Sequence, residues 1–192
     1  MSSGAPTRAE LMRVARALFA ERGYAGVGTE EIVARANVTR GALYHHFADK
    51  RDLFRAVHEE LEQELVASIG EQIAGIDDPW DLAVTGVRAF LDACAGDAAL
   101  RQIALIDAPA VLGWEEWREV DARYGLGLVE FGLRNGMDAG VFREREVTPL
   151  AHVMIGAMTE AALMVANAAD PDAARAKAEP ALLALLEGLR SD

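Results

Sequence analysis

Apolar residues recur along this chain with the period of a helix from end to end, and no stretch alternates as a half-buried strand would. Leu11, Val14, Ala15, Leu18 and Phe19 follow i, i+3, i+4, i+7, i+8, which places them on one face of a first helix that Gly23 stops. Thr29, ahead of Glu30 and Glu31, reads as the N-cap of a short second helix ending near Ala36. Asn37 and Val38 form a turn, and Thr39 caps a third short helix that reaches His46. Asp49, with Asp52 three residues on, opens a longer helix through Leu53, Val57, Leu61, Leu65 and Ile69. Three further starts pair an N-cap residue with a proline at the first helical position, where the missing amide hydrogen costs nothing: Asp78-Pro79, Thr148-Pro149 and Asp170-Pro171. They predict helices near 79–94, 149–168 and 171–190, with a short helix near 97–106 and a long one from Trp114 to Asp138 between them. Pro180 falls inside the last and predicts a kink or a break there. The expected architecture is all-α, with about nine helices.

Composition narrows the function classes. Of 192 residues, 52% are hydrophobic and 26% charged, the balance of a globular chain. No apolar run approaches the roughly 20 residues needed to cross a bilayer, and the opening MSSGAPTRAEL lacks a signal peptide's apolar stretch, so no membrane partner and a cytoplasmic location are expected. The single cysteine, Cys94, excludes an internal disulfide and a multi-cysteine zinc site, and fits a reducing compartment. The net charge of −12 is unevenly spread. Residues 1–54 carry eight Lys/Arg against six Asp/Glu, leaving eleven basic and twenty-five acidic residues in the remainder. A mildly basic head can meet phosphates ahead of an acidic body, because the Debye length at physiological salt is only about 8 Å.

The segment Thr29–Phe47, TEEIVARANVTRGALYHHF, holds two short helices joined by about three residues, with Ile32, Val33, Ala36, Val38, Leu43 and Phe47 available to pack them together. This is a helix-turn-helix pattern. Its second helix offers Thr39, Arg40, Tyr44 and His45 as hydrogen-bond donors around Gly41, which has no side chain to obstruct close approach. Base edges are read by short-range hydrogen bonds, and phosphates are held by cations and hydroxyls, so this mixture suits a recognition helix.

The run LFAERGYAGVGTEEIVARANVTRGALYHHFADKRDLF resembles the N-terminal domain of the tetracycline-repressor (TetR) family of transcriptional regulators, almost continuously from Leu11 to Phe54. Phe19, Gly23, Tyr24, Thr29, Ile32, Ala36, Val38, Gly41, the Leu43–Phe47 run, Lys50 and Leu53 carry the resemblance. It implies a helix-turn-helix DNA-binding domain over residues 1–52 and a helical effector-binding and dimerisation domain over 53–192. It further implies a homodimer on a palindromic double-stranded DNA operator, with a small-molecule effector. Carried over position by position, it gives Thr29 a phosphate contact and gives Thr39, Arg40 and Gly41 contacts with bases or adjacent backbone. Tyr44 and His45 would touch phosphate or sugar, Lys50 would bind a phosphate, and His46 and Phe47 would pack inside.

Beyond Phe54 two apolar helical faces stand out. Val153, Met154, Ala157, Met158 and Ala161 form one, and Leu182, Leu185 and Leu189 lie on the other. They either close an internal core or pair with their copies in a dimer, and for a chain resembling this family the dimer is the expectation. Trp117, Tyr124 and Phe131 recur every seven residues as a stripe that is either core or one wall of a cavity. With Phe90 and Trp114, Trp117 and Tyr124 are the expected lining of a site for a largely apolar effector. His58, Asp121, His152 and Glu160 interrupt apolar patterns, and each reads singly as a solvated or satisfied residue.

Neither G-x-x-x-x-G-K-[ST], H-E-x-x-H nor G-x-S-x-G occurs, so no enzyme activity is expected. His45 and His46 diverge on a helix, and His58 with Glu62 supplies two ligands only, so neither a metal nor a cofactor is expected. Cys94, among alanines and without an adjacent cation, reads as a small buried hydrophobe. The reading is a ligand-responsive regulator, a repressor released by its effector. The alternative is a helical ligand-binding or redox-responsive protein without specific DNA binding.

Overall fold

The computed structural model describes residues 4–191. Among them lie nine α-helices: α1 (Gly4–Arg22), α2 (Thr29–Arg35), α3 (Arg40–His46), α4 (Lys50–Ile73), α5 (Pro79–Gly96), α6 (Ala108–Leu112), α7 (Trp114–Asp138), α8 (Val147–Ala166) and α9 (Pro171–Glu187). A π-helical segment, Leu100–Asp107, precedes α6. The described residues hold no strand, only an isolated antiparallel bridge between Phe142 and Arg190. The chain is all-α.

Four of the nine described helices start on a side-chain cap. The side chains of Thr39, Asp78 and Asp170 accept from the backbone N–H groups of Ala42, Asp81 and Ala173 at 3.2, 2.9 and 3.0 Å. At the start of α4, Asp49 accepts from Asp52 N–H at 2.8 Å while the Asp52 carboxylate accepts from Ala48 N–H at 3.0 Å, a reciprocal arrangement that satisfies two donors. Gly23 and Gly140 end their helices with φ of +68° and +72°, in the left-handed region that glycine enters without strain.

Four local expectations are corrected. Gly28 occupies the N-cap of α2 and Thr29 is already helical, so its hydroxyl does not cap. Helix α8 begins at Val147, before Pro149, because the Thr148 hydroxyl is engaged with Glu130 at 2.8 Å instead of turning back to its own helix. The short helix expected near 97–106 is π-helical and continues into α6. Helix α9 passes unbroken through Pro180, which stands on its exposed side, so one missing amide donor does not divide it.

The chain divides into two compact units. The first joins residues 1–61 to 98–117, so it extends along α4 to Leu61, past the expected boundary after residue 52, and it takes in the π-segment and α6. In its core Phe19, Tyr24 and Phe54 form a ring cluster with centroids 5.1–5.8 Å apart. Leu11, Leu18, Ile32, Leu43, Leu53 and Ile103 are buried around the unit's helices. The Asp107 carboxylate accepts from Tyr24 N–H at 2.7 Å, and Arg51 donates to the Leu112 carbonyl at 2.9 Å and to Glu116 at 2.6 Å.

The second unit joins residues 62–97 to 118–192. One cluster gathers Val84, Leu133, Met137, Phe142, Ala151 and Leu186, and another Val87, Leu91, Ala161, Ala178 and Leu182. Helix α8, 20 residues with a mean hydropathy of 1.4, has the length and apolarity of a membrane span, contrary to the expectation that no run has. Its hydrophobicity is partly used inside this unit, where Ala151, Met154, Ile155, Ala161, Ala162 and Val165 are buried.

Phe142 packs directly over Gly136, whose carbonyl accepts from the N–H groups of Val141 and Phe142 at 2.9 and 3.0 Å. A Cβ at residue 136 would come within 2.1 Å of the Phe142 ring, whereas one at Gly127 on the same helix meets nothing within 4 Å. Gly136→Ala should therefore destabilise the fold by about 1–3 kcal/mol, and Gly127→Ala should stabilise it by up to about 1 kcal/mol. Urea unfolding of the two variants measures both, and equal stabilities would contradict this account of the α7–α8 turn.

Candidate functional site

The α2–α3 motif is assembled by an inward seam. Ile32 and Leu43 are fully buried, and Ala36 and Phe47 nearly so. Asn37, with φ of +52°, lets the chain reverse between the helices while Val38 N–H donates to the Val33 carbonyl at 3.0 Å. With those residues consumed, Thr39, Arg40, Gly41, Tyr44 and His45 all lie exposed at the start and along one side of α3, and Thr29 stands half-buried at the start of α2. The Arg40 guanidinium lies 5.5 Å from the Tyr44 ring centroid and 3.5 Å from Glu30. His46 is half-buried, its ring in a T-shaped contact with that of Phe47.

Gly41 is the informative residue of this face. Glycine inside a helix is less stable than alanine by about 1 kcal/mol, yet a Cβ here would meet only Thr39 Oγ1, at an ordinary 3.8 Å. The fold does not require the glycine. What it produces is a bare patch of backbone between Arg40 and Tyr44.

Lys50 departs from its expected role. Its ammonium donates to the carbonyls of Tyr24 and Val27 at 2.8 and 2.9 Å and lies 3.8 Å from the Tyr24 ring centroid. Burial pulls its pKa down, opposed by the charge of Asp107. Two of its three donors thus hold the α1–α2 loop, which makes it a strut beneath the motif rather than a free phosphate ligand.

The second unit holds an apolar cavity of about 110 Å³. It is walled by Val66 and Ile69 of α4, Val87 and Phe90 of α5, Leu128 and Leu133 of α7, and Met154 and Met158 of α8. Gly86, Gly125 and Gly132 also line it, and side chains there would occupy the space. Of the four aromatic residues expected to line an effector site, Phe90 borders this cavity and the other three are not among its lining residues. Trp117 is buried in the first unit, its indole N–H donating to the Ala104 carbonyl at 3.0 Å. Trp114 is 66% exposed, and the Tyr124 hydroxyl is occupied by Gln63 at 3.0 Å. The aromatic stripe runs along a different side of α7 from the one that borders this cavity. The face that borders the cavity carries Asp121, Gly125, Leu128 and Gly132, at helical spacing, and its glycines were the signal in the sequence.

One end of the cavity is polar. Asp121 is ion-paired with Arg118 and lies 3.2 Å from the Thr159 hydroxyl, which Arg118 also approaches at 3.3 Å. Glu62 shares this end and is 8% exposed. Burial, reinforced by the Asp121 charge, pushes the Glu62 carboxyl up to about 8. Burial also raises Asp121, against the pull of Arg118 and Thr159. In the first unit, burial brings the His58 imidazole down to about 4 against the charge of Glu116, so it is neutral at pH 7. His152 and Glu160 are exposed on α8, and Cys94 is buried. Among the described residues no cluster of three or more His, Cys, Asp or Glu is arranged to hold a metal.

The comparisons with known proteins agree with this architecture. Residues 11–57 match the family model described as bacterial regulatory proteins, tetR family, and residues 80–189 match the tetracyclin repressor-like C-terminal domain. A crystal structure of a TetR-family transcriptional regulator from Pectobacterium atrosepticum superposes with a TM-score of 0.88 at 34% identity, covering 100% of this chain and 98% of that one. The transposon Tn10 TetC protein of Escherichia coli is 30% identical over 123 residues, 64% of this chain and 61% of its own. The transcriptional activator FasR of Mycolicibacterium smegmatis is 33% identical over 85 residues, 44% of this chain and 39% of its own. The chain therefore spans less than two thirds of the length of these two curated relatives. The α2–α3 motif and the all-helical C-terminal unit define a helix-turn-helix transcriptional regulator. The chain belongs to the TetR family.

The raised Glu62 carboxyl has a measurable consequence. In the unfolded chain it ionises near 4.5, and in the folded protein it keeps its proton to about 8. Between those values the folded state binds the extra proton, so stability falls as pH rises. Wild type should lose stability relative to Glu62→Gln across pH 4.5–8, by as much as about 1.4 kcal/mol per pH unit. Urea unfolding of both proteins at pH 5, 6.5 and 8 gives the difference, and a difference independent of pH would contradict the burial of this carboxyl.

Proposed function

We propose that this regulator is a repressor that binds a palindromic operator as a homodimer and is released by a small, largely apolar effector held in the cavity of the second unit. The observation that carries the DNA reading is the outward side of α3, where Thr39, Arg40, Tyr44 and His45 surround a glycine the fold does not need. Close approach to a groove floor is a use for that bare backbone, and Thr29, half-buried at the start of α2, is proposed to meet a phosphate. Two copies would set their recognition helices about 34–36 Å apart, one turn of duplex. A protein sitting on an operator blocks the promoter by occupancy, which favours repression as the default sign. An effector acts through its different affinity for the DNA-competent and DNA-incompetent states.

The dimer is proposed to form through α8 and α9, which pack on each other. Val153 and Met164 on α8 and Leu185 on α9 are 68, 55 and 52% exposed, apolar area that a second copy would cover. Ala157 and Leu189, partly buried, border it. Met154 and Met158 instead line the cavity, and Ala161 and Leu182 belong to the inner cluster, so these four are removed from the expected interface. Only some positions of each apolar face can turn outward, because a helix with one neighbouring core must send the others inward.

Two tests follow from this reading. On a duplex selected from a random pool, Arg40→Ala should lose about 1–3 kcal/mol of binding free energy. Gly41→Ala should lose affinity while raising thermal stability, an opposition that a purely structural glycine would not produce. Unchanged affinity in both variants would remove α3 as the DNA-contacting element. For assembly, the double variant Val153→Asp, Leu185→Asp should sediment as a folded monomer, since a carboxylate in an apolar interface must be desolvated. A folded variant that remains dimeric would place the interface elsewhere.

A further inference from the structure

The polar end of the cavity restricts the effector more than the apolar walls do. Glu62, Asp121 and Thr159 supply that end, and no lysine, arginine or histidine is among the lining residues. Arg118, from outside the lining, pairs with Asp121 through Oδ2, and the Thr159 hydroxyl lies 3.2 Å from the same oxygen. The other oxygen of that carboxylate, Oδ1, takes neither contact. Burial, reinforced by the Asp121 charge, keeps the proton on Glu62 to about 8, so at pH 7 this end holds one carboxylate already matched by one guanidinium. Charge is balanced there before any ligand enters, while Asp121 keeps the capacity to accept a further hydrogen.

We propose that the effector is an uncharged hydroxyl compound, a single substituted ring whose hydroxyl donates to the Asp121 carboxylate at the polar end of the cavity. This rests on the reading of the cavity as the effector site. An ammonium or a carboxylate on the ligand would enter a space walled by Val66, Ile69, Leu128 and Met158, where the existing charges are already engaged with each other. An ion left unmatched in apolar surroundings is costly. A neutral hydroxyl adds no charge, and its hydrogen bond to an ionised carboxylate belongs to the stronger class of such bonds. An ether oxygen only accepts, and an ionised Asp121 has no hydrogen to give it. The apolar walls fit the remainder, and about 110 Å³ suits a substituted single ring rather than a long chain.

The test uses probes with one body and four heads: 4-ethylbenzyl alcohol, its methyl ether, 4-ethylbenzylamine and 4-ethylbenzoate, titrated calorimetrically into the full-length protein at pH 7. The alcohol should bind about ten times more tightly than the ammonium or the carboxylate probe, and about fivefold more tightly than the ether. Asp121→Asn should bring the alcohol close to the ether while leaving the ether unchanged. Gly132→Leu, which fills the cavity from α7 where a Cβ meets only Leu82 at 3.8 Å, should abolish binding of all four. Circular dichroism checks that each variant is folded, and the four wild-type affinities decide charge and hydroxyl without any variant. Binding of the amine or the benzoate as tight as that of the alcohol overturns the uncharged assignment and leaves the cavity as an effector site. An ether as tight as the alcohol overturns the hydroxyl donor, and an alcohol preference that survives in Asp121→Asn overturns its placement at this end. If none of the four binds at millimolar concentration, or if binding survives in folded Gly132→Leu, the cavity reading falls and the proposal falls with it.

Discussion

Leu43 and Phe47 from α3 meet Ile32 and Ala36 from α2 in one apolar seam, and what the motif can present to a partner depends on which residues that seam consumes. Helices of seven residues are too short to be stable alone. They persist because the seam and the ring cluster of Phe19, Tyr24 and Phe54 belong to one core, and because Lys50 fixes the preceding loop by two carbonyls and a ring face. Once the seam is filled, α3 must turn Arg40, Gly41, Tyr44 and His45 outward. The proposed reading surface is thus a by-product of packing, and its polar character is affordable because none of these groups is buried.

The second unit handles polarity the opposite way, by enclosing it. Three glycines withdraw side chains from the walls of an apolar cavity, and two carboxyls are enclosed at one end of it. Packing to normal interior density would favour larger residues at Gly86 and Gly132, where a Cβ finds only ordinary contacts at 3.9 and 3.8 Å. Retained space and buried acids each reduce stability on their own. A ligand filling the proposed effector site would offset both costs, which is the thermodynamic requirement for it to shift a conformational equilibrium.

The helices themselves were legible in the sequence because their ends are written in short-range chemistry. Asp78-Pro79 and Asp170-Pro171 act through hydrogen bonds three residues long, and Gly23 and Gly140 through their own φ. Thr148-Pro149 misled because its hydroxyl is bonded to Glu130, eighteen residues away, and a tertiary partner outranked a local one. The π-segment at Leu100–Asp107 left no periodic signature distinct from a short helix. The α2–α3 motif was readable residue by residue, since its apolar seam and its polar face are both local. The cavity was not. Trp117 and Tyr124 attracted attention by size, but large side chains fill space, and a helix that borders a void does so with its small residues. Asp121 and Glu62, fifty-nine positions apart, come together only in the folded unit, where both line the same cavity.

The central claim is that the exposed side of α3 is the surface that meets DNA, and contact is the property to measure. Tyr44 replaced by photoreactive benzoylphenylalanine, 43% exposed in the native residue and one turn from Arg40, reports contact within a few ångströms of that side. Irradiated with a duplex selected by the protein, this variant should give a covalent protein–DNA adduct that excess unlabelled duplex removes. The same reagent in place of Trp114, also exposed, should give none. A variant that still binds the duplex but forms no adduct from position 44, or forms one equally from position 114, would contradict the account.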